Sequence, residues 1–192
     1  MKSEITVKIL CGRKECFGIL REKFELIARW TQTSYYWTHL SIDRTVPYKR
    51  LLDNSVLVRD MNFGERMKEV WLIYKQKTLD KNGNVVAGSK TSCKVESAEG
   101  ANKIFRAANL KNWVTMKAEQ YIFKNSDLEF CVQDVDGLGL YLEIEQRGSM
   151  AKEPIEGMIV VAKSLGLPLG DDFVGVKLPY ELYLKRRAGI GA

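Results

Sequence analysis

The stretch Asp134-Val-Asp-Gly-Leu-Gly-Leu-Tyr-Leu-Glu-Ile-Glu145 turns at Asp136-Gly-Leu-Gly139 and then alternates apolar and polar residues. Side chains of an extended strand point to opposite faces in turn, so Tyr141, Glu143 and Glu145 share one face and Leu140, Leu142 and Ile144 the other. Two carboxylates one such step apart sit roughly 6–7 Å from each other. Like charges at that distance need water, a cation or a basic partner. The strand is therefore the first candidate for a metal or polyanion site. The competing reading is a solvated outer face with its apolar residues turned inward.

Working outward, residues 2–11 repeat the pattern, with Glu4, Thr6 and Lys8 on one face and Ile5, Val7 and Ile9 on the other. Residues 13–28 read as an amphipathic helix through Phe17, Leu20, Phe24 and Ile27. Residues 29–40 are rich in Trp, Thr and Tyr and favour a strand, and residues 42–55, with Pro47 and Asp53-Asn-Ser55, read as loop and turn. Strands are expected from Val56 to Arg59 and from Glu69 to Lys77, then a turn at Asp80-Lys-Asn-Gly-Asn84 and a short strand over 88–96. Ser97 is an N-cap candidate for a helix to about Asn109, with Glu99 in its first turn. Trp113–Phe123 and Leu128–Val135 form a hairpin around Lys124-Asn-Ser-Asp127, and Glu153–Leu165 is a further amphipathic helix. Pro179-Tyr-Glu-Leu-Tyr-Leu184 opens a tail whose basic end, from about residue 185, is expected to fray.

This order gives about eight strands, mostly in hairpins, with helices between groups of strands, which is the α+β pattern. A closed antiparallel barrel with helices outside and a polar interior fits it, and so does an open sheet with one wet face. The length of 192 residues suits one domain, 1–192. No run reaches the roughly 18 apolar residues of a membrane span, and no basic-then-apolar leader opens the chain, so a cytoplasmic protein is expected.

Composition narrows the chemistry. The four cysteines, Cys11, Cys16, Cys93 and Cys131, form no CxxC pair, and His39 is the single histidine, which argues against a structural zinc site and against Ser/His or Cys/His catalysis. The net charge of +6 favours an anionic partner: a nucleotide, polyphosphate or nucleic acid. Trp30, Tyr35, Tyr36 and Trp37 could stack bases, but such a cluster in a strand is more often core, so nucleic acid is not the expected partner.

With these residues in place, the chain resembles the CYTH superfamily, the triphosphate tunnel metalloenzymes, which include class IV adenylyl cyclases and thiamine triphosphatases. Val135, Leu138-Gly139, Glu143 and Glu145 match its C-terminal signature, with Gln133 where the family has aspartate. Glu4-Ile-Thr-Val-Lys8 resembles the opening Glu-x-Glu-x-Lys with Thr6 in place of the second glutamate, and Leu72-Ile-Tyr-Lys75 and Val56-Leu-Val-Arg59 keep one basic residue each. Leu57, Met116 and Ala118 stand where the family is basic. The resemblance implies an eight-stranded β-tunnel with flanking helices. It implies Mg²⁺ or Mn²⁺ on Glu4, Glu143 and Glu145, with phosphate contacts from Lys8, Arg59, Lys75, Lys94 and Lys117. The activity implied is that of a metal-dependent triphosphatase or adenylyl cyclase-like enzyme acting on a nucleotide or other triphosphate. The alternative is a tunnel that binds such an anion without turnover. A homodimer is compatible with either, and no membrane partner is expected.

Overall fold

Strand alternation and hairpin turns produce the sheet that the sequence predicts. The computed structural model describes residues 4–42, 48–64, 67–79, 85–146, 148–173 and 178–188. Among the described residues there are eight strands: β1 (Glu4–Lys8), β2 (Glu25–Thr38), β3 (Ser55–Asn62), β4 (Lys68–Leu79), β5 (Val85–Val95), β6 (Lys111–Lys124), β7 (Glu129–Val135) and β8 (Gly139–Glu145). The α-helices are α1 (Arg13–Arg21), α2 (Tyr48–Asp53), α3 (Ala98–Ala107), α4 (Ile155–Ser164) and α5 (Leu178–Arg187). The strand order is β1-β5-β4-β3-β2-β6-β7-β8, and β1 pairs antiparallel with both β5 and β8, so the order closes on itself. The fold is the expected α+β, antiparallel eight-stranded barrel with flanking helices. No helix among the described residues is long and apolar enough to cross a membrane.

The chain divides into two compact units: Met1–Arg29, Thr78–Ala87 and Ala118–Val176 in the first, and Trp30–Lys77, Gly88–Lys117 and Lys177–Ala192 in the second. In the first, Ile5, Val7, Phe130, Val132, Leu142 and Ile144 turn one face of the sheet into a core with Phe17 and Leu20 of α1 and Met158 and Ala162 of α4. Each such side chain contributes about 1.5–3 kcal/mol when fully buried. In the second, Trp37, Val58 and Val70 pack with Ala101, and Phe105 lies against them, which seats α3. Tyr36 meets Trp113, and Trp113 meets Tyr183 of α5, edge to face. These contacts place Tyr36 and Trp37 in packing, both buried.

Several local expectations hold. Ser97 accepts the Gly100 amide at 3.1 Å and caps α3. The β7–β8 turn uses Gly137 and Gly139 at φ 79° and 90°, a left-handed backbone that glycine adopts without a Cβ clash.

Three readings change. The helix expected over 13–28 stops at Arg21, and its last turn tightens as the Lys23 amide returns to the Leu20 carbonyl three residues back. Phe24 then stacks edge-on to Phe130, and the chain enters β2 at Glu25, so helical spacing beyond Leu20 is overridden by strand pairing and core contact. The 42–55 loop contains α2, held by the fully buried Leu51. The tail is the helix α5, anchored by buried Leu178, Leu182 and Tyr183 and continuing through Lys185-Arg-Arg187. Pro179 suits its first turn, where no amide donor is needed. The turn read at 80–84, the start of the first strand at 2–3, Pro47 and the last residues, 189–192, lie outside the described residues.

Candidate cation and anion site

Strand register assembles a polar row on the first unit. Glu4 lies directly opposite Glu145, Thr6 opposite Glu143, and Lys8 opposite Tyr141. The row continues through β7 and β6, with Cys131 opposite Glu143, Gln133 opposite Tyr141, and Gln120 opposite Gln133. Direct partners in an antiparallel pair carry Cβ atoms about 4.5–5.5 Å apart and share a face. Glu4, Thr6, Gln120, Cys131, Gln133 and Tyr141 are all buried, Glu143 and Glu145 are half-buried, and Lys8 is exposed. Because these positions alternate with Ile5, Val7, Val132, Leu142 and Ile144, they occupy the face opposite the helix-packed core.

Part of the row is tied together by hydrogen bonds. The Cys131 thiol donates to Gln120 Oε1 at 3.0 Å, Gln120 Nε2 donates to Gln133 Oε1 at 3.1 Å, and Gln133 Nε2 donates to Glu143 Oε2 at 2.7 Å. Gln133 thus places a neutral donor against Glu143. Gln120 and Cys131 went unmarked in the sequence, although a hairpin around Lys124–Asp127 sets the register that puts Gln120 opposite Gln133.

Among the described residues no group of three His, Cys, Asp or Glu side chains could hold a metal ion. The direct pair is Glu4 and Glu145. Two hard oxygen donors suit Mg²⁺ or Mn²⁺ of the kind that completes its shell with phosphate oxygens and water, rather than an ion caged by protein alone.

The remaining basic candidates belong to the second unit. Arg59 is half-buried and donates from Nε to the buried Ser34 hydroxyl at 3.2 Å. It lies opposite Trp71, and alternation along β4 puts Glu69, Trp71, Ile73 and Lys75 on that same face. Lys94 is ion-paired to Glu69 at 2.7 Å, and this bond, then the Trp71 indole, holds the Glu69 carboxyl below its usual range. Lys117 is exposed and alternates with buried Met116 and Ala118, which puts it on the face of Glu119 and Tyr121.

On that helix-bearing face of the first unit the charges are matched. Arg13 of α1 binds Asp134, with Nε at 3.0 Å, and reaches Glu119 at 3.0 Å. Arg29 also binds Glu119, and both guanidinium groups lie over the Tyr121 ring, at 5.5 and 5.6 Å. The bond to Asp134 raises Arg13 further, and the bond to Glu119 does the same for Arg29. Burial pushes Glu119 up, but the Tyr121 hydroxyl, Arg29 and Arg13 outweigh it and hold the carboxyl below its ordinary value. Burial first, then the bond to Glu119, pushes the Tyr121 phenol up to about 12.

Against known structures, the chain superposes on a Pyrococcus horikoshii protein with a TM-score of 0.69 at 19% identity, covering 96% of this chain and 99% of that one. A Hippeastrum protein, provisionally named an adenylyl cyclase and described as having a dominant triphosphatase activity, matches with a TM-score of 0.56 at 10% identity, over 100% of this chain and 98% of that one. The chain is CYTH-like in fold. No family model matches it. In sequence it is 28% identical over 167 residues to a Methanocaldococcus jannaschii protein provisionally named an adenylate cyclase, spanning 85% of this chain and 89% of that protein. The contacts that the resemblance implies divide between the units: Glu4, Lys8, Glu143 and Glu145 in the first, and Arg59, Lys75, Lys94 and Lys117 in the second.

Proposed function

We propose that the protein binds a nucleotide or other triphosphate together with Mg²⁺ or Mn²⁺ and turns it over, as a triphosphatase or cyclase. The observation that carries this reading is the register pair Glu4–Glu145, a carboxylate set directly against a carboxylate on a largely buried polar face. Such a pair is costly by itself and is relieved by a cation. The cation would neutralise charge that develops on the phosphoryl oxygens. Lys8, four residues along from Glu4 on the same face, supplies an anion contact on the first unit. The names of the Methanocaldococcus and Hippeastrum proteins support the same substrate class.

One observation favours the second reading, binding without turnover. Lys94 is engaged by Glu69, and Lys117 shares a face with Glu119, so neither adds readily to the cationic groups a phosphoryl transfer state needs. A screen of ATP, thiamine triphosphate and tripolyphosphate with each metal, reading phosphate and pyrophosphate release, decides between them. Metal-dependent release supports the enzyme. Calorimetric binding without release supports the binding protein, and neither signal with any triphosphate removes both.

A further inference from the structure

In the second unit Tyr36, Trp37 and Trp113 are buried in packing, but Trp30, Phe63 and Trp71 are only half-buried. Strand alternation puts these three on one face. The pairing of Thr31 with Asn62 sets Trp30 beside Phe63, and their rings lie 5.6 Å apart at 34°. Trp71 lies opposite Arg59, and between the two ends Met61 is opposite both Gln32 and Glu69. The Trp30 indole donates to Gln32 at 3.4 Å and the Trp71 indole to Glu69 at 3.1 Å. Each acceptor is two residues along the same strand, so the indoles lean toward the Gln32–Met61–Glu69 row from opposite ends. Lys94 pairs with Glu69 at 2.7 Å and neutralises the one carboxylate of that row. One strand step away, roughly 6–7 Å, Arg59 is held by the Ser34 hydroxyl at 3.2 Å. The face thus offers ring surfaces, a thioether and, beside them, a guanidinium.

We propose that Trp30, Phe63 and Trp71 form a ring-binding platform, so that the second unit takes anions carrying a flat aromatic group, with the anionic end on Arg59. This goes beyond the functional reading above and needs neither the cation nor turnover. A base has a π face, and stacking it on an aromatic side chain raises affinity about fivefold or more. The step from Arg59 to the Met61 row is one that a ribose bridges, which fits a nucleoside monophosphate. On the other side of Arg59 the next row is the buried pair Leu57 and Ile73. A phosphate chain extended that way would meet hydrocarbon and lose its hydration without a new partner. The ring-bearing direction is the one the face accommodates.

The test measures binding to the full chain without metal, by calorimetry, with AMP and ribose 5-phosphate as probes. The two share a sugar and a phosphate and differ in the ring. AMP should bind at least about fivefold more tightly. Trp30→Leu and Trp71→Leu should each lower AMP affinity about fivefold and leave ribose 5-phosphate within about twofold, whereas Arg59→Gln should weaken both probes. AMP should also quench indole emission where ribose 5-phosphate does not, and Trp30→Phe and Trp71→Phe should each lose part of that quenching. These conservative variants keep the test decisive if the leucine variants fail to fold. AMP that binds no more tightly than ribose 5-phosphate, or not at all, overturns the platform. So does a leucine variant that weakens both probes equally, or quenching unchanged in both phenylalanine variants. Arg59→Gln that weakens neither probe overturns the anion contact. No metal or triphosphate enters, so failure here leaves the metal–triphosphate reading to its own screen, and failure of that screen leaves this comparison standing.

Discussion

In the first unit, strands β1, β6, β7 and β8 show two faces built from alternating residues of the same chain. On the helix-bearing face opposite charges meet: Arg13 with Asp134 and Glu119, and Arg29 with Glu119, over an apolar floor of Phe123, Phe130 and Leu142. On the other face a glutamate is set against a glutamate, and an amide row leads to a third. The first arrangement stabilises. The second sets two carboxylates directly across the β1–β8 pair, and directly opposed like charges on a sheet cost about 0.2–1 kcal/mol relative to a neutral pair. Neutralising a glutamate should therefore act in opposite directions on the two faces, at Glu119 on one and at Glu4 on the other.

The largest effect lies on the helix-bearing face. Phe130→Ala removes a fully buried ring stacked on Phe123 and should cost about 3–5 kcal/mol in urea unfolding. An effect below about 1 kcal/mol would mean that the core does not hold this face. Next comes the amide row on the other face. Gln133→Leu removes the acceptor of the buried Gln120 amide and one donor to Glu143, and an orphaned buried polar group costs about 1–3 kcal/mol. A neutral or stabilising outcome would show that the row is not made.

The ionic cluster should matter less, because Arg13 is 46% exposed and solvent screens the pair. Its signature is in the pH dependence. The Glu119 carboxyl is held below its unfolded value, so its contribution is complete above that value, about 4.3, and is lost as pH falls through the folded one. Glu119→Gln should be less stable than the wild type at pH 7, and the gap should close on acidification below about pH 4. A gap independent of pH would separate Glu119 from the cluster.

How much of this was legible in sequence follows from period and register. The alternation at Glu4–Lys8 and Leu140–Glu145 placed Glu143 and Glu145 on one face, because a strand's period needs no tertiary information. The glycine turn between β7 and β8 was readable for the same local reason. The end of α1 was not: Phe24 and Ile27 continue the helical spacing, and only contact with Phe130 and strand pairing divert them. The site was readable as a set of carboxylates but not as pairs. Which glutamate faces which depends on the β1–β8 register, and the Gln120–Gln133–Glu143 row depends on two registers at once. The Arg13 and Arg29 clamps bridge residues 121 and 90 positions apart, beyond any local pattern.

The smallest change in stability carries the most direct test. Glu4→Gln removes the charge opposed to Glu145, so without metal the folded chain should gain about 0.2–1 kcal/mol. Thermal unfolding of wild type and Glu4→Gln, each with and without Mn²⁺ and tripolyphosphate, measures both sides of the claim. The expected result is a variant slightly more stable alone and not stabilised by the metal–triphosphate mixture, beside a wild type that the mixture does stabilise. A Glu4→Gln chain that is less stable alone, yet stabilised by the mixture as much as the wild type, would contradict the assignment of the cation to this pair.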